Sequence, residues 1–226
     1  MSQRKWVRRC LGWVARGLAA VVLLVVAVLL VFRFANPPTT AFMLAHQWQP
    51  GSQSLRHQWV PLAQMSPWLP RAVMASEDQR FASHWGLDTE AIATALREYR
   101  RGEGLRGAST ITQQTVKNLF LWEGRSLARK ALEAGLAVAV ELLWPKRRIM
   151  EVYLNVAEFG PGIYGVEAAS RAHFGIGAGA VGPTQAARLA AVLPSPKRLD
   201  AGNPSPYVWQ RVAWIRQQMQ YVAPLP

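Results

Sequence analysis

Acidic side chains and cysteine are what this chain has least of. Its 226 residues hold 13 Asp and Glu against 26 Lys and Arg, and a single cysteine, Cys10. Cys10 stands before or at the edge of a long apolar run, so the chain beyond that run can form no disulfide and must draw its stability from core packing. Charge is sparse as well, at 17% of residues against 50% apolar. No stretch sustains a period-2 alternation, the strand-helix rhythm of a parallel sheet is missing, and no internal repeat is evident. The chain after the apolar run therefore reads as mostly α.

Residues 17–32 contain no charged or strongly polar side chain. With Arg16 and Arg33 turned outward, the usable span is roughly 20 residues, about 30 Å as a helix, which matches a bilayer. A cleaved signal peptide would show a shorter apolar core followed by small residues, whereas Phe32-Arg33-Phe34 follows here, so an uncleaved anchor is expected. Arg4, Lys5, Arg8, Arg9 and Arg16 precede the span and no acid does. The positive-inside bias leaves residues 1–35 as a cytoplasmic tail and transmembrane anchor, and residues 36–226 as one domain outside the cytoplasm. That domain keeps 20 basic against 13 acidic side chains. Such a surplus favours anionic partners, and the location makes nucleic acid the poorest of them.

Helix signals recur along this domain. Asn36-Pro37-Pro38 breaks the membrane helix, and residues 41–65 show too little periodicity for any assignment. Ser66-Pro67 starts a helix expected over 67–84 and stopped by Gly86. Asp88 caps the next, over 89–101. Thr110-x-x-Gln113 has capping-box spacing, which places a start near Ser109 or Thr110 and an end near 121. Ser126 caps a long helix to 144, and further helices are expected over 146–157, 163–174, 183–193 and 206–220.

Two polar blocks carry the chemistry. On a continuous helix Glu77, Arg80, Phe81 and His84 fall at i, i+3, i+4 and i+7, one face for a carboxylate, a guanidinium and an imidazole. Burial there would tune Glu77 as a general base, while a plain surface pair with Arg80 is the bland alternative. Asp78 points away and reads as surface, and His84 as a hydrogen-bonded core histidine. Behind a glycine-rich loop, Ser109, Thr110, Thr112, Gln113, Gln114 and Thr115 gather at a helix start with Lys117 two turns on. That is a cradle for a phosphate or sugar, or else simply a well-capped helix end. Arg129 and Glu133 have intrahelical pair spacing, yet the turns after them are almost wholly apolar, which puts a second carboxylate among cations at a buried border.

Four blocks then appear in order: E-D-x-x-F-x-x-H-x-G at 77–86, G-A-S-T-I-T-Q-Q-x-x-K-N at 107–118, R-K-x-x-E at 129–133 and K-x-x-I-x-x-x-Y-L-N at 146–155. Together they resemble the glycosyltransferase family 51 domain, above all its monofunctional biosynthetic peptidoglycan transglycosylase branch, over residues 61–211. The resemblance implies a lysozyme-like α-helical domain in the cell inner membrane, facing the periplasm and polymerising lipid II by an inverting mechanism. It implies Glu77 as the base for the acceptor hydroxyl and Glu133 as a second essential carboxylate of unassigned role. Arg80, Lys117, Arg125, Arg129 and Lys130 would hold the pyrophosphate, with Ser109, Thr110, Gln113 and Gln114 lining the cleft. The leaving group also admits a divalent metal, Mg or Mn, whose ligands stay unknown. Implied partners are lipid II, the growing glycan strand, the bilayer, and proteins of cell-wall synthesis or division.

Departures from the family pattern are Ala108 in the second block and His173-Phe174-Gly175-Ile176 where many members carry a lysine. No transpeptidase domain is expected, since Ser2-x-x-Lys5 matches one of its motifs without the others. Two other readings remain at this point: a glycan-cleaving lytic enzyme on a similar fold, and a non-catalytic, membrane-tethered basic adaptor.

Overall fold

The computed structural model describes residues 2–102, 109–124 and 126–226. It forms two compact units, Met1–Pro37 and Pro38–Pro226. The first is a single helix, α1 (Ser2–Phe34), whose segment Leu11–Phe34 contains an 18-residue stretch with a mean hydropathy of 2.8. By length and composition that segment is able to cross a membrane. It ends just before Asn36-Pro37, where proline restricts the preceding residue to extended backbone.

The second unit is helical around one core. Its elements are α2 (Ala41–Trp48), β1 (Arg56–His57), α3 (Trp68–Glu77), α4 (Thr89–Arg100), α5 (Ile111–Phe120), α6 (Leu127–Leu143), α7 (Lys146–Val156), β2 (Glu158–Gly160), β3 (Ile163–Tyr164), α8 (Val166–Phe174), α9 (Pro183–Val192) and α10 (Pro206–Gln218). Helix α7 sits at the centre, with Ile149, Met150, Val152, Tyr153, Leu154 and Val156 all buried. Helix α5 packs on α6 and α7, while α3 packs on α9 and α10. A small sheet of order β1-β3-β2 closes one end, β1 parallel and β2 antiparallel to β3.

The caps follow the local chemistry. Asp88 accepts from the Ala91 amide, Ser126 from Arg129, and Thr110 with Gln113 forms a reciprocal capping box. Helix α3 departs from expectation: it ends at Glu77, not at 84. The reason is Asp78, which is buried and not on the surface. Its carboxylate accepts from the Ile111 amide at 3.0 Å, at the start of α5, and lies 2.9 Å from His84 Nε2. Such a bridge requires the chain to leave the helix at Asp78, where φ is −162°. Glu77, Arg80, Phe81 and His84 therefore do not share a helical face. Helix α8 likewise starts at Val166 and not 163, because Ile163 and Tyr164 pair as β3. Gly165 makes the turn between them at φ +82°, where a Cβ would stand 2.7 Å from the Asn155 carbonyl oxygen.

Candidate active site

Glu77 closes α3, and its carboxylate is held at both oxygens. Oε1 accepts from the Ser76 hydroxyl at 3.0 Å, and Oε2 accepts from Gln114 Nε2 at 2.9 Å. Gln114 Oε1 accepts in turn from the Tyr153 hydroxyl at 3.0 Å. Burial pushes the Tyr153 phenol well above its ordinary pKa, so it stays a neutral donor. Glu77 makes no ion pair with Arg80, and its carboxylate faces a groove of ≈ 600 Å³ that it shares with Ser109, Gln114, Arg211 and Trp214.

The cations come from α5 and α6. Glu133 is 2% exposed and accepts from Arg129 Nη1 at 2.7 Å and from Lys130 Nζ. Lys130 also donates to Ser109 Oγ at 2.9 Å, which ties α6 to the head of α5. Lys117 differs from both. Largely buried, it has no hydrogen bond or ion pair among the described residues, and its ammonium lies 5.4 Å from the centroid of the Phe42 ring. Burial lowers its pKa, an effect that the Glu133 charge opposes most, Arg129 and Lys130 reinforce, and Glu77 also opposes. The two carboxylates and three cations thus share one electrostatic neighbourhood. A buried ammonium without a counter-ion is arranged to receive an anion.

Other expected site residues are placed differently. Arg80 is paired with Glu90 by two hydrogen bonds, one of 2.8 Å, and its Nη1 stands 3.8 Å from Asp88. It lines a second groove together with Glu77, Ser109 and Thr110. Gln113 is buried and engaged in the α5 cap, so it supports the cleft without lining it. Thr110 accepts from the Gln113 amide and donates to the Gly86 carbonyl at 2.6 Å. Arg125 and the loop residues Gly107 and Ala108 lie outside the described residues. His173, three residues before Ile176, which stands in the place of the family lysine, lies 3.2 Å from the Phe159 carbonyl oxygen and 3.4 Å from Asp200.

Three contributors carried no functional expectation. Tyr153 lies inside the fourth block, so a role was available to be read, but its partner is 39 residues away. Arg211 donates to Ser76 Oγ at 3.2 Å across 135 residues, for which no local signal exists. Asp78 looks like a surface acid until its long-range partners are known. Among the described residues no three His, Cys, Asp or Glu side chains converge as a metal cage, and Glu133 is already matched by two cations.

A family model described as Transglycosylase matches residues 44–220. Several relatives carry the name biosynthetic peptidoglycan transglycosylase. One from Marinomonas sp. (strain MWYL1) is 54% identical over 202 residues, 89% of this chain and 88% of its own length. One from Shewanella frigidimarina (strain NCIMB 400) is 55% identical over 188 residues, covering 83% and 81%. One from Pseudomonas putida (strain W619) is 50% identical over 215 residues, covering 93% and 88%.

Proposed function

The chain belongs to the transglycosylase family, and from that footing we propose that it is a peptidoglycan glycosyltransferase that polymerises lipid II into β-1,4-linked glycan strands. Residues 1–35 serve as cytoplasmic tail and single anchor in the cell inner membrane, and residues 36–226 as the periplasmic catalytic domain, with no cross-linking activity of their own. The apolar helix and the run of arginines before its span support that orientation.

In this reading Glu77 takes the proton from the acceptor's 4-hydroxyl as its oxygen bonds to the donor's anomeric carbon. The bond from that carbon to the pyrophosphate breaks on the opposite face, which inverts the centre. Undecaprenyl pyrophosphate leaves with the electron pair. Lys117, a largely buried cation with no counter-ion among the described residues, meets the developing charge, and Arg129 and Lys130 extend the positive wall. Glu133 holds those two side chains at fixed positions through its hydrogen bonds. A divalent ion, Mg or Mn, bound with the pyrophosphate would add to this positive wall, and no step is routed through it.

The observation that carries the reading is the Gln114 link, since one side chain both contacts the Glu77 carboxylate and lines the groove containing Lys117. A glycan-cleaving enzyme needs the carboxylate but not the buried cation. Incubating the purified protein with labelled lipid II and, separately, with preformed glycan tests it. Long polymer supports the proposal, shortened glycan supports cleavage, and neither product leaves a non-catalytic protein.

A further inference from the structure

Helix α10 has two faces of different chemistry. Val208, Val212 and Ile215 are buried against the core. Tyr207, Gln210, Arg211 and Trp214 fall at i, i+3, i+4 and i+7, and all four line the groove that holds Glu77. Tyr207 is 54% exposed and Trp214 40% exposed, so both rings offer apolar surface to whatever enters.

The charge distribution says what fits. Among the described residues, Glu77 and Arg211 are the only charged side chains lining this groove. Arg211 is engaged, since Nη2 donates to Ser76 Oγ and Nε to the Ala191 carbonyl, both at 3.2 Å. Those partners are neutral and fix the guanidinium in the wall, while the Glu77 carboxylate lining the same groove would repel a phosphate. The neighbouring groove on the other side of Gln114 carries two lysines, Lys117 and Lys197, against one carboxylate, Glu158. A neutral ring with apolar C–H faces and equatorial hydroxyls matches two aromatic faces flanked by the amides of Gln210 and Gln114.

We propose that the Tyr207–Gln210–Trp214 face of α10 is a sugar subsite, in which one pyranose unit of the glycan strand stacks on Trp214 beside Glu77. It rests on the polymerase reading and adds where the strand is gripped: Gln114 separates a cationic groove for the diphosphate from an aromatic one for the uncharged sugar. Arg211 ties that aromatic wall to Ser76, whose hydroxyl donates to the Glu77 carboxylate.

The test is binding of a lipid-free GlcNAc–MurNAc tetrasaccharide to the full chain in detergent micelles by titration calorimetry, together with product length from lipid II. Trp214→Ala is expected to weaken tetrasaccharide binding roughly tenfold, the scale of one lost aromatic contact. It should also shorten the strands at an unchanged melting temperature. Trp214→Phe should restore most of the affinity. Tyr207→Ala, at a more exposed position, provides a second reading should the tryptophan variant fold poorly. Equal affinity in wild type and both alanine variants, or no binding by the wild type, overturns the subsite. A wild type that binds the tetrasaccharide through Trp214 yet makes no polymer overturns the polymerase reading and leaves the subsite standing.

Discussion

The Gln114 amide, on the first turn of α5, donates a 2.9 Å hydrogen bond to Oε2 of Glu77, the last residue of α3. Two helices from separate sequence blocks thereby fix one carboxylate, and the second of them also carries Lys117. The orientation of Gln114 depends on Tyr153, whose hydroxyl donates to its carbonyl oxygen.

Tyr153→Phe removes that donor while keeping the ring in the core. A neutral hydrogen bond contributes about 0.5–1.5 kcal/mol, so the polymerisation rate should fall roughly threefold to tenfold. KM for lipid II should hardly change. Steady-state kinetics check this, and a loss beyond 100-fold would give Tyr153 a chemical role.

Lys117→Met should separate stability from activity. Burial lowers the Lys117 pKa below its ordinary 10.5, so the folded state binds this proton less tightly than the unfolded chain does. The resulting penalty is complete below the lowered value and fades as pH rises from there toward 10.5. At neutral pH the substitution removes the penalty, and the melting temperature should rise by about 2–4 °C for each kcal/mol relieved. Donor use should drop sharply in the same variant. A variant that melts lower and polymerises normally contradicts both halves.

Gly86→Ala tests the loop that follows the α3 end. Gly86 has φ +81°, and an added Cβ would lie 2.9 Å from the Ala137 carbonyl oxygen and 3.0 Å from Glu141 Cγ. Strain of that kind costs on the order of 1–3 kcal/mol before the clash is counted. The Gly86 carbonyl also accepts from Thr110, so the α5 cap should loosen with it. Urea denaturation is expected to show a lower midpoint with an unchanged slope.

Much of this architecture was legible because caps are local. Asp88, Thr110 with Gln113, and Ser126 each bond an amide three residues on, and the helices start where those residues stand. The small sheet was not legible, since β1 is two residues long and its partner β3 is more than 100 residues away. The end of α3 failed for the same reason. Its polar and apolar spacing continues to His84, but Asp78 is claimed by Ile111, 33 residues distant. Among the site residues, Glu77, Gln114, Lys117, Arg129, Lys130 and Glu133 do converge in the fold. Arg80 lines a groove with Glu77, Ser109 and Thr110, where Glu90 on the next helix pairs with it. Ser76 and Arg211 touch only through the packing of α3 against α10.

The central claim is that Glu77 removes the acceptor's proton. Glu77→Gln keeps the side-chain shape and an oxygen for Gln114 to bond, so the groove should persist. The direct measurement is the initial rate of polymer formation from labelled lipid II, alongside a thermal melt of the same sample. A rate lower by roughly 10²–10⁴-fold at an unaltered melting temperature is expected. Near wild-type polymerisation by a folded Glu77→Gln protein would contradict the account.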